Sequence, residues 1–464
     1  MSMTKDQIRA TIVGNPAKGV AGMQNDWWTS IAPDLWNSHD SYLRDLNGNE
    51  YLDFSGFFST SVVRFDHPKI RDKNFLDQLA KAAIYRPSLA DFWTQEMAEF
   101  VDTFRNVAVP EYMQHLFFID GGSLAVENAM KAAFDWKVRL NMRKGLIKND
   151  PVEEKQPFGT KILMFERAFH GRSGYTLSMT HTIDPRKYKY FPKFDWFRVN
   201  PPVYSFDNNG KIKNADEVIQ QQKNAIHEIK SILKQHADDI AAFIIEPIQC
   251  EGGDRHIPVD FFRELRTLTE ENDILLIYDE VQTGLGTTGA MWGHQHFGDD
   301  ARPDILAFSK KTQVGGVMAN YAKMNVIKEN SFNNEFESKS RLNATWGGNP
   351  VDMVRCKVLC EIIDQENLLH NVSELGQYLL GQVQELCREY SNIIENPRGR
   401  GFLFAFDAKT PELKGKIWQA FYEENFLGLT CGSKTLRFRP HLDLNREEAD
   451  EALKRMRVAL GKIK

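Results

Sequence analysis

Two adjacent lysines, Lys310 and Lys311, end the apolar run Ile305–Phe308 in "DILAFSKKTQVGGVMA" (304–319), and Gly315 and Gly316 follow as an apparent flexible turn. Neighbouring strand residues point to opposite faces, so at most one of these amines can enter a site. The plain alternative is a strand that has ended at the surface, with both lysines solvated. Asp279 is harder to dismiss, because it follows Ile274–Ile277 and Tyr278 without a break. A carboxylate at the mouth of a buried strand needs a cationic or donor partner, either a protonated ring nitrogen or an ordinary Arg or Lys. Gly121, Gly122 and Ser123 open a helical stretch, where unpaired amides and the helix dipole favour a phosphate. Ser123 could equally be a simple N-cap beside a tight turn. Phe169, in "FERAFHGR", offers a flat ring.

A lysine, a carboxylate, a phosphate cup and an aromatic ring together describe a pyridoxal phosphate site. The aldehyde of that cofactor takes a lysine as a Schiff base, its ring nitrogen a carboxylate and its phosphate a set of amides.

These residues need a scaffold that brings them together. Five apolar runs, at 116–119, 162–165, 244–245, 274–277 and 305–308, each end in a polar or glycine-rich cluster. Amphipathic stretches such as 214–235 and 259–272 lie between them. Continuous apolar runs alternating with helices indicate an α/β fold with a mostly parallel sheet covered on both faces. Such sheets bind ligands beyond the carboxyl ends of their strands, where the polar clusters fall. The flanks differ: 25–66 is aromatic and turn-rich, 350–392 is helical, and "GFLFAFDA", "TLRFRPHLDL" and an amphipathic tail at 445–463 indicate a smaller α+β unit. We expect 1–85 to contribute to that smaller domain, 86–345 to form the large cofactor-binding domain, and 346–464 to complete the small one.

Composition narrows the classes. The 464 residues are 42% hydrophobic and 26% charged, with a formal net charge of −5, which gives no electrostatic case for nucleic acid or an anionic membrane. No apolar run approaches the roughly 20 residues that span a bilayer, and the first residues lack a signal-peptide core, so the cytoplasm is expected. Cys250, Cys356, Cys360, Cys387 and Cys431 have no C-x-x-C spacing, and neither Cys356/Cys360 nor His294/His296 has a third ligand nearby, so no metal is expected. A dinucleotide fold is disfavoured, since "GGSLAVEN" is not G-x-G-x-x-G.

"LLIYDEVQTGLGTTGAMWG" followed by "DILAFSKK" resembles the signature of the class III, fold-type I pyridoxal-phosphate aminotransferases, and the similarity runs from "RDLNGNEYLDF" to "LRFRPHL". "GGSLAVENAMKAAFDWK", "SKKTQVGGVMA" and "SRLNATWGGN" most resemble the lysine 6-aminotransferases of that class. The resemblance implies that Lys310, directly after Ser309, carries the Schiff base and that Lys311 faces away. It implies Asp279 on the pyridinium nitrogen, Gln282 on the ring hydroxyl, Phe169 against the ring, and Gly122 and Ser123 on the phosphate. Thr345 would reach that phosphate from the second subunit of a homodimer. Ser123 departs from the alanine expected there, but its backbone amide serves equally.

The implied reaction moves the ε-amino group of L-lysine to 2-oxoglutarate, giving 2-aminoadipate 6-semialdehyde and glutamate. Ornithine or 4-aminobutyrate is the alternative donor within the class. Arg172 resembles the arginine that holds a distal carboxylate, a task suited to a guanidinium fork. Asn343 is a second expected determinant of substrate choice. The resemblance also implies a movable glutamate, Glu246, that pairs with Arg437 when lysine is bound and leaves it for 2-oxoglutarate.

Overall fold

The computed structural model describes residues 3–12, 31–325 and 335–463. Its central sheet forms from the apolar runs. The strands are β1 (His115–Ile119), β2 (Lys161–Phe165), β3 (Phe197–Val199), β4 (Ile240–Ile245), β5 (Leu275–Asp279), β6 (Ile305–Phe308) and β7 (Gly315–Ala319). They lie in the order β1-β7-β6-β5-β4-β2-β3, seven strands in all. The pairs among β6, β5, β4, β2 and β3 are parallel, and β7 runs antiparallel to both of its neighbours.

Alternate residues of these strands feed two cores. Ile162, Ala242, Ile244, Leu275 and Ile277 pack with Ala125, Ala129 and Ala133 of α1 (Gly122–Arg143). Leu163, Phe243, Ile245, Leu276 and Tyr278 pack with Ile226 and Ile229 of α2 (Ala215–His236) and with Phe261 and Leu265 of α3 (Val259–Glu271). Both faces are therefore covered, which is why the strands read as unbroken apolar runs.

One expectation changes. Gly315 and Gly316 are not a flexible turn but the first residues of β7, paired with Ile119 and Phe118 of β1. A Cβ on Gly316 would sit 2.5 Å from the Phe117 carbonyl oxygen and 2.6 Å from the Phe308 ring. Close packing, not conformational freedom, requires glycine there.

A second, antiparallel sheet is built from Ile394–Arg400, Leu403–Ala408, Thr435–Phe438 and Leu429–Cys431. Helices Leu368–Glu389, Pro411–Glu423 and Arg446–Gly461 accompany it. The expected helical region at 350–392 is two helices, divided where Asn367 takes a left-handed φ of 51°. The N-terminal strand Glu50–Asp53 pairs in parallel with Phe426–Leu427. The Ser41 amide donates to Glu448 (2.8 Å) and the Arg439 amide to the Phe54 carbonyl (2.7 Å). The N- and C-terminal parts are thus stitched together beside the strand that carries Arg437. Of the aromatic segment 25–66, residues 25–30 lie outside the described residues.

Candidate active site

The residues that follow β2, β4, β5 and β6, with the amino end of α1, enclose a cavity of about 570 Å³. Its walls include Gly122, Ser123, Phe169, Arg172, Glu246, Asp279, Gln282, Lys310 and Arg437, so nine of the residues nominated from sequence converge on one space. His170, Glu251, Lys187 and Phe58 line it too and were not nominated.

Asp279 closes β5 and is 5% exposed. One of its oxygens accepts from the Val281 amide (3.1 Å), and the other lies 2.8 Å from His170 Nδ1. Its partner within the protein is therefore a histidine. His170 is buried, its Nε2 has no partner among the described residues, and its own amide donates to Thr180 Oγ1. The ring is held by Asp279 and by a fixed backbone, which sets how the carboxylate faces the cavity.

The two lysines separate, though they lie not on a strand but in the single 3-10 turn Lys310–Thr312 that follows β6. Lys310 lines the cavity with a left-handed φ of 58°, a conformation that costs a non-glycine residue about 1–3 kcal/mol and that recurs at functional sites. Its amine donates to the Phe58 carbonyl (3.3 Å). Burial, reinforced by the Arg437 charge, lowers its pKa to about 8. Lys311 is buried on the other side, where its amine donates to the Ser61 carbonyl and burial lowers its pKa to about 7.

At the amino end of α1, Gly121 takes a φ of 83° and opens the 22-residue helix. A Cβ on Gly122 would fall 2.9 Å from Val281, so glycine lets the helix end approach the cavity. Ser123 Oγ accepts from the Arg172 amide (3.1 Å), and its backbone amide lies in the first turn of α1, where N–H groups have no intrahelical partner.

The expected Glu246–Arg437 pair is not formed. Glu246 is buried, and its two oxygens accept from the Phe169 amide (3.0 Å) and the Cys250 amide (3.2 Å). A swing toward Arg437 would strand both donors. Burial, with Asp279 nearby, raises its pKa to about 7. Arg437, 2% exposed, instead donates through Nη2 to Glu251 (2.9 Å). Arg439 is engaged separately by Asp254 (2.6 Å). Burial pushes the Glu251 carboxyl up, but Arg437 and Lys187 outweigh it and hold it below its usual pKa. The carboxylate paired with Arg437 is thus Glu251, in the turn after the short strand Ile248–Gln249.

Arg172 is exposed at the cavity edge, its guanidinium 5.8 Å from the Phe169 ring centre. Asn343 and Thr345 are exposed and are not brought to the cavity of their own chain.

Comparison with known proteins agrees with this architecture. The family model "Aminotransferase class-III" matches residues 26–460. The chain belongs to the class III aminotransferases. It is 41% identical over 432 residues to the L-lysine-epsilon aminotransferase of Mycobacterium tuberculosis, covering 93% of this chain and 92% of that one. The corresponding enzyme of Streptomyces clavuligerus is 38% identical, over 90% of this chain and 88% of the relative. The solved lysine aminotransferase from M. tuberculosis superimposes with a TM-score of 0.90 at 39% identity, covering 100% of both chains.

A class III aminotransferase works with pyridoxal 5′-phosphate, and the residues of this cavity fit it. Gln282 Oε1 is buried with no partner among the described residues, and Gln282 lines the cavity. Arg437 Nε and Nη1 are buried and likewise unpartnered among the described residues. A polar ligand is the ordinary way to satisfy such groups.

His170 and Glu251 escaped the sequence reading for different reasons. His170 adjoins Phe169, but only the fold brings it against a residue 109 positions later. Glu251 lies in "QCEGG", where a carboxylate beside two glycines reads as an ordinary turn.

Proposed function

We propose that this aminotransferase transfers the ε-amino group of L-lysine to 2-oxoglutarate, giving 2-aminoadipate 6-semialdehyde, which cyclises, and L-glutamate. The observation that carries the reading is the likeness to lysine-epsilon aminotransferases over nearly the whole chain, in sequence and in backbone.

When bound, pyridoxal phosphate supplies an aldehyde for the amine and an electron sink for proton loss. Lys310 is assigned the covalent attachment. With its pKa lowered to about 8, roughly a tenth of its amine is unprotonated at pH 7, far more than at an ordinary lysine pKa of about 10.4, and this is the form that attacks a carbonyl and accepts a proton from substrate Cε. Asp279, oriented by His170, places a buried negative charge where it favours a protonated ring nitrogen. Gln282 is assigned the ring oxygen, Phe169 the ring face, and the Gly122 and Ser123 amides the phosphate. Arg172, at the mouth, faces the distal carboxylate, whether of lysine or of 2-oxoglutarate. Arg437 receives the carboxylate that 2-oxoglutarate carries beside its reacting carbon. For lysine that place holds methylene groups, and Glu251 keeps the buried guanidinium paired.

A homodimer belongs to the proposal. Thr345 is exposed away from its own cavity, where it could meet a partner's phosphate, and Asn343 on the same segment would influence substrate choice. The exposed rings Tyr85, Phe92, Trp93 and Trp346 provide apolar surface that a second copy would cover.

A donor screen with 2-oxoglutarate tests the reading. Lysine should exceed ornithine and 4-aminobutyrate in kcat/KM, with glutamate formed in equal amount. A higher kcat/KM for either rival would replace lysine as the donor.

A further inference from the structure

Glu251 has two cationic partners, and only one of them belongs to the carboxylate-binding arginine. Its Oε2 accepts from Arg437 Nη2 at 2.9 Å, while its Oε1 accepts from the amine of Lys187. The three side chains grade from interior to surface: Arg437 is 2% exposed, Lys187 20% and Glu251 23%. Lys187 lines the cavity from the short turn Pro185–Lys187, whose start is fixed by Asp184 accepting from the Arg186 amide. Glu251 is anchored by its backbone, since its carbonyl accepts from the Gly432 amide (3.1 Å). Its carboxylate can therefore change partners by side-chain rotation alone.

Charge pairing then differs between the two substrates. When methylene groups lie beside Arg437, Glu251 bridges both cations and no buried charge is left alone. When a dicarboxylate presents a carboxylate to Arg437, Glu251 must leave, and it would otherwise sit unpaired beside a second anion. Lys187 supplies the partner it needs. We infer that Lys187 is a specificity-determining residue that retains Glu251 after it leaves Arg437, so that the cavity admits a dicarboxylate without stranding a charge. This rests on the reading of Glu251 as the group that vacates Arg437. Without Lys187 the carboxylate has Arg437 as its only partner among the described residues, and every dicarboxylate must compete with an undivided ion pair.

Lys187→Gln tests the inference in the holoenzyme through two measurements. The first is the ratio of single-turnover kcat/KM for the 2-oxoglutarate and lysine half-reactions. The second is calorimetric affinity for glutarate, a dicarboxylate that cannot react. Because the pair is partly solvated, both should fall by about five- to tenfold, and Lys187→Arg should restore both. Glu251→Gln, measured alongside, separates the two levels of the argument. If it shifts the half-reaction ratio while Lys187→Gln leaves the ratio and glutarate affinity unchanged, the role of Lys187 is overturned and the reading of Glu251 stands. If neither variant changes either quantity, both fall.

Discussion

The two ends of the cavity are built on different principles. At the reacting end, Asp279 closes a fully buried strand, His170 is locked against it, and Glu246 is held by two backbone amides. At the discriminating end, Arg437 is buried but shares Glu251 with Lys187, and both of those partners sit on turns with about a fifth of their side chains exposed. A carboxylate bound to backbone amides has one position. A carboxylate shared between two side chains can release one and keep the other. Chemistry that must repeat identically is mounted on strand ends, and a choice between substrates is mounted where rotation is cheap.

The comparison breaks most severely if the reacting end tolerates change. Lys310→Ala should reduce transamination by about 10³-fold or more while the protein still folds, because it removes both nucleophile and proton carrier. Borohydride reduction of the wild type followed by peptide mapping should place the label on Lys310. A label on Lys311 would reverse the assignment of the pair. Asp279→Asn should lower kcat by about 10²-fold, since a neutral amide no longer favours the protonated ring. Turnover close to wild type would remove that role from Asp279.

Arg437→Ala sharpens the contrast. Loss of the bidentate partner should weaken the 2-oxoglutarate half-reaction by a factor corresponding to about 2–5 kcal/mol, with a much smaller effect on the lysine half. Glu246→Ala and Glu251→Ala should then part company. Replacing Glu251 frees Arg437 and shifts amino-donor preference toward glutamate. Replacing Glu246 should slow both halves, because the Phe169 and Cys250 amides lose their acceptors. Single-turnover kinetics of the two halves check this, and a preference shift confined to Glu246→Ala would restore the original assignment.

How much of this was legible follows the same divide. The strands carried their own signal, because burial on both faces leaves unbroken apolar runs such as Ile240–Ile245, and the functional groups sit one step beyond them. Asp279 and the lysine pair could be found from position alone. Choosing Lys310 over Lys311 needed the family resemblance, and the structure gives the physical counterpart, since one amine meets the cavity and the other the Ser61 carbonyl. The discriminating end left no comparable trace. The family resemblance nominates Glu246 as the movable carboxylate, but its place directly after a strand gives it two amide donors that hold it. Glu251 and Lys187 are 64 positions apart on turns, and nothing local marks them as a pair. Gly315 and Gly316 misled for a related reason: the demand for glycine comes from β1 and Phe308, not from their own backbone.

The smallest effect is expected at Lys311, and it concerns stability rather than turnover. This lysine is buried beside Arg439 and donates to the Ser61 carbonyl, with Asp53 and Asp443 as the nearest opposing charges. Burial lowers its pKa from 10.5 to about 7. Between those values the unfolded chain holds a proton that the folded protein has released, so stability rises with pH across that window. The contribution is complete above about pH 10.5 and is lost as pH falls towards 7. Lys311→Met lacks this titration. The stability of the wild type relative to Lys311→Met should therefore increase between pH 7 and 9, by at most about 1.4 kcal/mol per pH unit. Urea unfolding midpoints at intervals across that range measure it. A difference independent of pH would mean that Lys311 keeps its proton in the fold, with Asp53 and Asp443 compensating its burial in full.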